Sequence, residues 1–322
     1  MAARPEAPLP ELVELSTLTS AEFDGLLQEE SAVWRRLFDW DFRPSGDLLR
    51  RFLQIRSLNG YALRAGNSVV GYTYYVIEGH KGLVGDFFVR EEYGESANEM
   101  MLLGATVQGL MLMPGVRRIE SQLLMLHSGR LNTLPFSGCL KRYDRYFMEV
   151  NRDAARALIT RPLGARIAIL PWVERQNEEI AALVTASYRG HVDSEINDQY
   201  RSLPGARHFL MNIVQYPGCG QFSSKASLVA VDSNNGRVCG VCLASMVSET
   251  AGHVTQLCIL PSLRGAHLGY ELLRQTLNRL TELGCRSISL TVTCSNEEAV
   301  QLYASVGFRS IGIFPALIWE NF

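Results

Sequence analysis

The stretch Gln256–Leu273, QLCILPSLRGAHLGYELL, constrains the fold of this chain more than any other. It reads as a strand ending at Pro261, a short turn, and a helix opening across Arg264, Gly265, Ala266, His267, Leu268 and Gly269. Leu268, Leu272, Leu273, Leu277 and Leu280 recur at helical spacing, while Glu271, Arg274, Arg279 and Glu282 fall off that stripe. Further on, Ile288, Leu290 and Val292 alternate with Ser289, Thr291 and Thr293, the period of a strand. Strand, helix and strand in succession put the chain in the α/β (α+β) class.

The helix start also carries chemistry. Its first amide N–H groups have no intrahelical partner, and the end of the helix bears a partial positive charge. Small residues in the turn let the backbone approach an anion closely, and Arg264 adds a fixed charge with a fork of donors. Together these form a pyrophosphate site. A plain strand–turn–helix with a corner glycine gives the same short string, and both readings stand on this segment alone.

With 322 residues, two domains are expected. The first half reads as strands at 60–63, 69–76 and 82–89, a long apolar helix over 98–113, a strand at 118–124 and a closing strand at 146–150. The second half reads as a strand at 166–170, helices over 176–188 and 193–202, and a hairpin of 227–231 and 237–244 around Asn235-Gly236. A strand at 253–259, a helix over 266–283, a strand at 286–293, a helix over 296–305 and strand-like pieces at 308–311 and 313–319 follow. The order of elements repeats but the residues do not, which gives domains at 1–155 and 160–322.

Composition excludes several classes. Net charge is −2, with 31 basic and 33 acidic residues, so there is no electrostatic case for nucleic acid or an anionic membrane as partner. The opening MAARPEAPLPELVELS has prolines and acids where a signal peptide needs an apolar stretch. The longest apolar run, Met100–Val116, contains Gln108 and falls short of the ~20 residues of a membrane span. Seven scattered cysteines make no disulfide framework, and a cytoplasmic location follows. Cys239 and Cys242 have CxxC spacing, but they lie in a strand, where residues three apart face opposite ways, so core packing is expected and no metal site.

The second informative stretch is Thr291–Phe308, TVTCSNEEAVQLYASVGF. Asn296 suits a helix cap, Glu297 and Glu298 the positive first turn, and Gly307 a left-handed end. Asn296, Ala299 and Tyr303 share one helix face. RGxxxG after a strand and proline, followed by Asn-x-x-Ala-x-x-x-Tyr-x-x-x-Gly-Phe, resembles the GNAT acyltransferase superfamily. The resemblance covers the second half well. The first half matches only in order of elements, as in a tandem arrangement with a degenerate first domain.

The resemblance implies two GNAT-like domains, each a mixed, mostly antiparallel twisted sheet flanked by helices. It implies that Arg264, Gly265, Ala266, His267, Leu268, Gly269 and Tyr270 hold the pyrophosphate of acetyl-CoA, the co-substrate, with no metal. Leu257, Cys258 and Ile259 would pair with the pantetheine arm at a bulge that splays two strands, and Asn296 would bond the pantetheine or the substrate's surroundings. Tyr303 would be the general acid beside the sulfur, and a backbone N–H near Cys258 or Ile259 an oxyanion donor. A neutral primary amine would attack the thioester directly. The base is open: His253 has the right intrinsic pKa, Glu249, His191 and Glu320 are further candidates, and a water relay serves equally. His267 stands where the family usually has glycine. The acceptor is a small metabolite, an aminoglycoside-like sugar, an amino acid or a protein N-terminus. The alternative function is a non-catalytic acyl-CoA-binding regulatory module. In the first half the equivalent turn, Val89–Glu95, has one glycine and three acids, so no CoA is expected there.

Overall fold

In the computed structural model, which describes residues 9–126, 134–164, 166–216 and 218–322, the chain divides into two compact units. The start of the opening stretch MAARPEAPLPELVELS lies outside the described residues. The first unit comprises Met1–Leu37, Phe42–Asp144 and Ile313–Phe322; the second comprises Phe38–Asp41 and Arg145–Gly312. The units therefore interleave in sequence, where contiguous spans of 1–155 and 160–322 were expected.

Along the first part of the chain run β1 (Glu11–Glu14), α1 (Ser20–Phe38), α2 (Arg43–Gln54), β2 (Asn59–Ala65), β3 (Ser68–Glu78), β4 (Lys81–Val89), α3 (Ser96–Met111) and β5 (Arg118–Gln122). Neighbours from β1 to β4 pair antiparallel, and β5 joins β4 in parallel. The carboxy-terminal residues Ala316–Glu320 then pair antiparallel with β5. This pairing explains the interleaving: the strand that completes the first unit comes from the end of the chain. Leu102, Leu103, Val107 and Leu110 of α3 pack with Leu63, Phe87, Ile119, Leu317 and Trp319 into one core.

The remaining elements are β6 (Leu140–Asn151), α4 (Arg152–Arg156), β7 (Ile167–Pro171), α5 (Asn177–Ser187), α6 (Asp193–Ile196), α7 (Leu203–Gln215), β8 (Gln221–Phe222), β9 (Leu228–Asp232), β10 (Val238–Met246), β11 (Ala251–Ile259), α8 (Leu268–Glu282), β12 (Ser287–Thr293), α9 (Glu297–Ser305) and β13 (Arg309–Glu320). The second unit's sheet runs β6-β12-β11-β10-β9-β7, with β8 beside β10. Its pairs are antiparallel except β11 with β12. On one face the α8 leucines at 268, 272, 273, 277 and 280 are buried with Ile288, Leu290 and Val292. Each such side chain contributes roughly 2 kcal/mol of burial. On the other face Ile180, Val184 and Leu210 of α5 and α7 cover Val229, Val241 and Leu243.

The sequence reading departs from the structure at several points. The strand at 146–150, assigned to close the first half, pairs with β12 in the second unit. α1, α2 and α7 were not foreseen. Cys239 and Cys242 share one core cluster, because the β9–β10 register shifts between Val238 and Gly240 and resets the alternation; both are free thiols. Among the described residues no group of His, Cys, Asp or Glu is arranged to hold a metal, and no helix is long and apolar enough to cross a membrane.

Candidate active site

The second unit opens where β11 leaves β12. The two strands pair in parallel only over Ala251–Val254 and Ser287–Leu290. At that point the β10–β11 register shifts: Leu243 faces Gln256 and Ala244 faces Val254, so Thr255 is an extra residue on β11. A bulge of this kind bends its strand and raises the local twist. Beyond it, Leu257, Cys258 and Ile259 pair with β10 through Gly240–Cys242, and their other edge is not paired with β12. The bulge expected at Leu257–Ile259 thus lies at Thr255, slightly earlier on the strand.

The turn after β11 is a 3-10 segment, Pro261–Leu263, followed by Arg264, Gly265, Ala266 and His267 before α8. Arg264 through His267 are exposed. The first intrahelical bond runs from the Glu271 N–H to the His267 carbonyl, which leaves the N–H groups of Leu268, Gly269 and Tyr270 without intrahelical partners. No side chain caps that end. Gly265 has φ +78°, and no atom lies within 4 Å of where a Cβ would stand, so the backbone is open to a close approach. His267 also has positive φ, +59°, the region in which glycine is favoured.

Two arginines flank this turn. Arg264 donates through Nη2 to the Ser187 carbonyl at 3.2 Å. Arg161, which the sequence reading missed, has its guanidinium 4.1 Å from the centre of the Tyr270 ring and Nη1 3.5 Å from His267 Nδ1. No periodicity marks Arg161, because it lies in an irregular segment far from the turn in sequence. Tyr270 is buried and its hydroxyl donates to the Ile159 carbonyl at 2.9 Å, so its side-chain polar group is already engaged.

Asn296 caps α9: its Oδ1 accepts from the Ala299 N–H at 3.3 Å. At the other end of the helix Gly307 has φ +94°, and the Phe308 N–H donates to the Tyr303 carbonyl at 3.0 Å. Tyr303 is 9% exposed, and no described residue hydrogen-bonds to its hydroxyl. Burial, then Cys242 and Asp193, push its pKa well above the ordinary phenol value. The phenol therefore keeps its proton.

His253 lies elsewhere. It sits on the paired stretch of β11, 4% exposed, between the rings of Trp40 and Phe147, with Nδ1 2.9 Å from Ser289 Oγ. Burial, aided by the Arg145 charge, lowers its pKa to about 3. A base that weak and that enclosed does not take a proton from an ammonium. The assignment of His253 as a catalytic base is corrected here to a packing role. Burial likewise pushes the Cys242 and Cys258 thiols up to about 12, so neither is a nucleophile at neutral pH.

Facing the splay is a set of side chains that sequence spacing did not connect. Tyr188 and Tyr200 stack with ring centres 4.3 Å apart, and Gln256 Nε2 donates to the Tyr188 hydroxyl at 2.6 Å. Asp193 accepts from Thr293 Oγ1, and its N–H donates to His191 Nδ1 at 3.1 Å. Arg145 donates to Thr291 Oγ1 at 3.2 Å. The hollows of about 150 Å³ beside Glu178 and Arg207 and about 450 Å³ beside Glu149 and Phe308 lie away from this splay.

Residues 192–308 match the model of the acetyltransferase (GNAT) family. No curated protein matches the sequence. Among solved structures, a GCN5-related N-acetyltransferase from Sphaerobacter thermophilus is similar at 14% identity and a TM-score of 0.67, over 97% of this chain and 96% of that one. A tandem GNAT protein from the clavulanic acid biosynthesis pathway, solved without AcCoA, is similar at 14% identity and 0.60, over 97% and 98%. A GNAT-family acetyltransferase from Colwellia psychrerythraea gives 11% and 0.53, over 97% and 100%. At these identities the likeness establishes the fold, and it extends over both units.

Proposed function

We propose, from the match of residues 192–308 to the GNAT-family model, that the second unit transfers an acetyl group from acetyl-CoA to a primary amine by direct attack. The observation that carries this reading is the Tyr303 hydroxyl, protonated and without a described partner, on the helix beside an uncapped α8 start and a splayed β11.

The residues fit an acyl-CoA. Free amides at 268–270, the open space at Gly265 and the cations of Arg161 and Arg264 suit a pyrophosphate. The edge of Leu257–Ile259 that β12 leaves offers backbone groups to an amide-bearing arm, although the Ile259 carbonyl already accepts from Ser187 Oγ at 3.0 Å. A backbone N–H near Cys258 or Ile259 serves the developing oxyanion.

In the reaction an alkylammonium first loses a proton, since only the neutral amine has a lone pair to give. Its nitrogen bonds the thioester carbon, the C–S bond breaks and takes its electron pair to sulfur, and the amide nitrogen sheds its surplus proton. Net, an ammonium and a thioester become an amide, a thiol and one released proton. Tyr303 hydrogen-bonds the departing sulfur. Full transfer from a phenol above pKa 10 to a thiolate whose acid has pKa about 8.5 runs uphill, so the last proton on sulfur comes from solvent. Asn296 steadies α9 as its cap.

The test is release of CoA thiol from acetyl-CoA with a panel of amines, together with Tyr303→Phe. The expected result is amine-dependent release that falls about 10- to 100-fold in the variant while acetyl-CoA affinity holds. Binding without release with any amine returns the non-catalytic acyl-CoA module.

A further inference from the structure

Asp193 and Arg145 are two opposite charges beside one splay that do not pair with each other. The Asp193 side chain is 14% exposed and its sole ion-pair neighbour among the described residues is His191, at 3.7 Å, charged only when protonated. Arg145 reaches Thr291 through Nη2, forms no ion pair with a described carboxylate, and its Nε is buried without a hydrogen-bond partner. Both flank Thr293: Arg145 is its register partner across β6 and β12, and Asp193 accepts its hydroxyl. Both also act, with opposite sign, on the Tyr200 and Tyr303 hydroxyls.

Partly buried charges commonly pair with an opposite charge nearby, because each is drawn out of water. Structural pairing would have brought these two together. Instead the fold holds the Asp193 carboxylate on the Thr293 hydroxyl and the Arg145 guanidinium on Thr291, two residues back along β12, both near enough to act on the phenol assigned to the leaving group. We infer that the acceptor is an amino acid, held through its ammonium by Asp193 and through its carboxylate by Arg145. The stacked Tyr188 and Tyr200 rings give that carbon skeleton an apolar wall. The ammonium is the bound form, and the neutral amine left by loss of one proton is the attacking form. This inference rests on the acyl-transfer reading of the same site.

The experiment has two readouts on the full chain. The first is the melting temperature in the presence of each standard α-amino acid, β-alanine or γ-aminobutyrate, beside the matching amine without a carboxylate and the matching acid without an amine. The second is CoA release from acetyl-CoA with the same compounds. At least one amino acid is expected to stabilise the chain, its two truncated counterparts are not, and Asp193→Asn and Arg145→Gln each weaken its apparent affinity about tenfold or more. Arg145→Lys restores part of that loss, which separates a charge role from misfolding. An amine that binds or reacts as well as its amino acid overturns the inference, as does an Arg145→Gln affinity within about twofold of the unchanged chain, or no binding of any amino acid. An amino acid that binds through both residues yet releases no CoA leaves recognition standing and removes the transfer reading; release with plain amines alone does the reverse.

Discussion

His253 gives the structure a measurable acid sensitivity. In the unfolded chain its pKa is 6.5, and in the fold burial holds it near 3. The folded pKa is the lower one, so the stabilisation is full above pH 6.5 and is lost as pH falls toward 3. At about pH 5 the unfolded imidazole is almost wholly protonated and the folded one is not, which costs roughly 1.4 kcal/mol for each of about 1.5 pH units, or about 2 kcal/mol. The assay is the urea midpoint from tryptophan fluorescence, with Trp40 against the His253 ring as a local reporter, read between about pH 7 and pH 5. His253→Gln changes stability by a constant amount, which cancels when slopes are compared. The unchanged chain should lose about 2 kcal/mol more than the variant over that interval. Parallel slopes would refute the buried, neutral state. Loss of turnover in a folded His253→Gln, with a shifted pH profile, would reinstate it as a base.

His267→Gly removes a side chain from a left-handed position and should raise stability by about 1 kcal/mol, with acetyl-CoA affinity held or improved, as melting and titration will show. A large loss of affinity would make the imidazole a phosphate ligand. Arg161→Ala should weaken acetyl-CoA binding about 3- to 10-fold at low salt and less at high salt, because a partly exposed cation acts through a screened field. Equal affinity at every ionic strength would reduce Arg161 to a partner of Tyr270.

What was legible in the sequence is what local periodicity and caps encode. The leucines of α8, the alternation of β12, the Asn296 cap and the left-handed Gly307 each need only neighbours within a few residues, and each stands where it was expected. The partner of β5 was not legible, because strand pairing at a separation of about two hundred residues leaves no trace in spacing. Arg161, Asp193 and Arg145 were missed for the same reason: each becomes significant only beside residues distant along the chain. His253 was misjudged because intrinsic pKa was applied without burial, and burial dominates at that site.

The first unit repeats the strand plan with different residues, and from these a single equivalent of acetyl-CoA per chain is expected. β4 and β5 pair only as far as Val84 and Ser121, and the β3–β4 register shifts at the same place, so a splay exists here too. Its residues differ. The Tyr72 hydroxyl lies 2.9 Å from Glu30 Oε2 and 3.3 Å from Asp86 Oδ2, while Trp34 donates to Glu30 at 3.2 Å. Burial, then Asp86, pushes Glu30 far above the usual carboxylate range, and burial raises Asp86. The turn after β4 presents Glu91 and Glu92, with Glu95 at the start of α3, and Arg90 is engaged by Glu29 at 3.1 Å. A carboxylate about 6 Å from a phosphate repels it by roughly 1–3 kcal/mol, so three of them cancel what a helix start offers an anion. Calorimetric titration should give one equivalent of acetyl-CoA per chain. Gly265→Glu, which adds a Cβ at φ +78° and a carboxylate to the second unit's turn, should abolish that equivalent. A second equivalent, or binding that survives Gly265→Glu, would place acetyl-CoA in the first unit and overturn the assignment of the acids there.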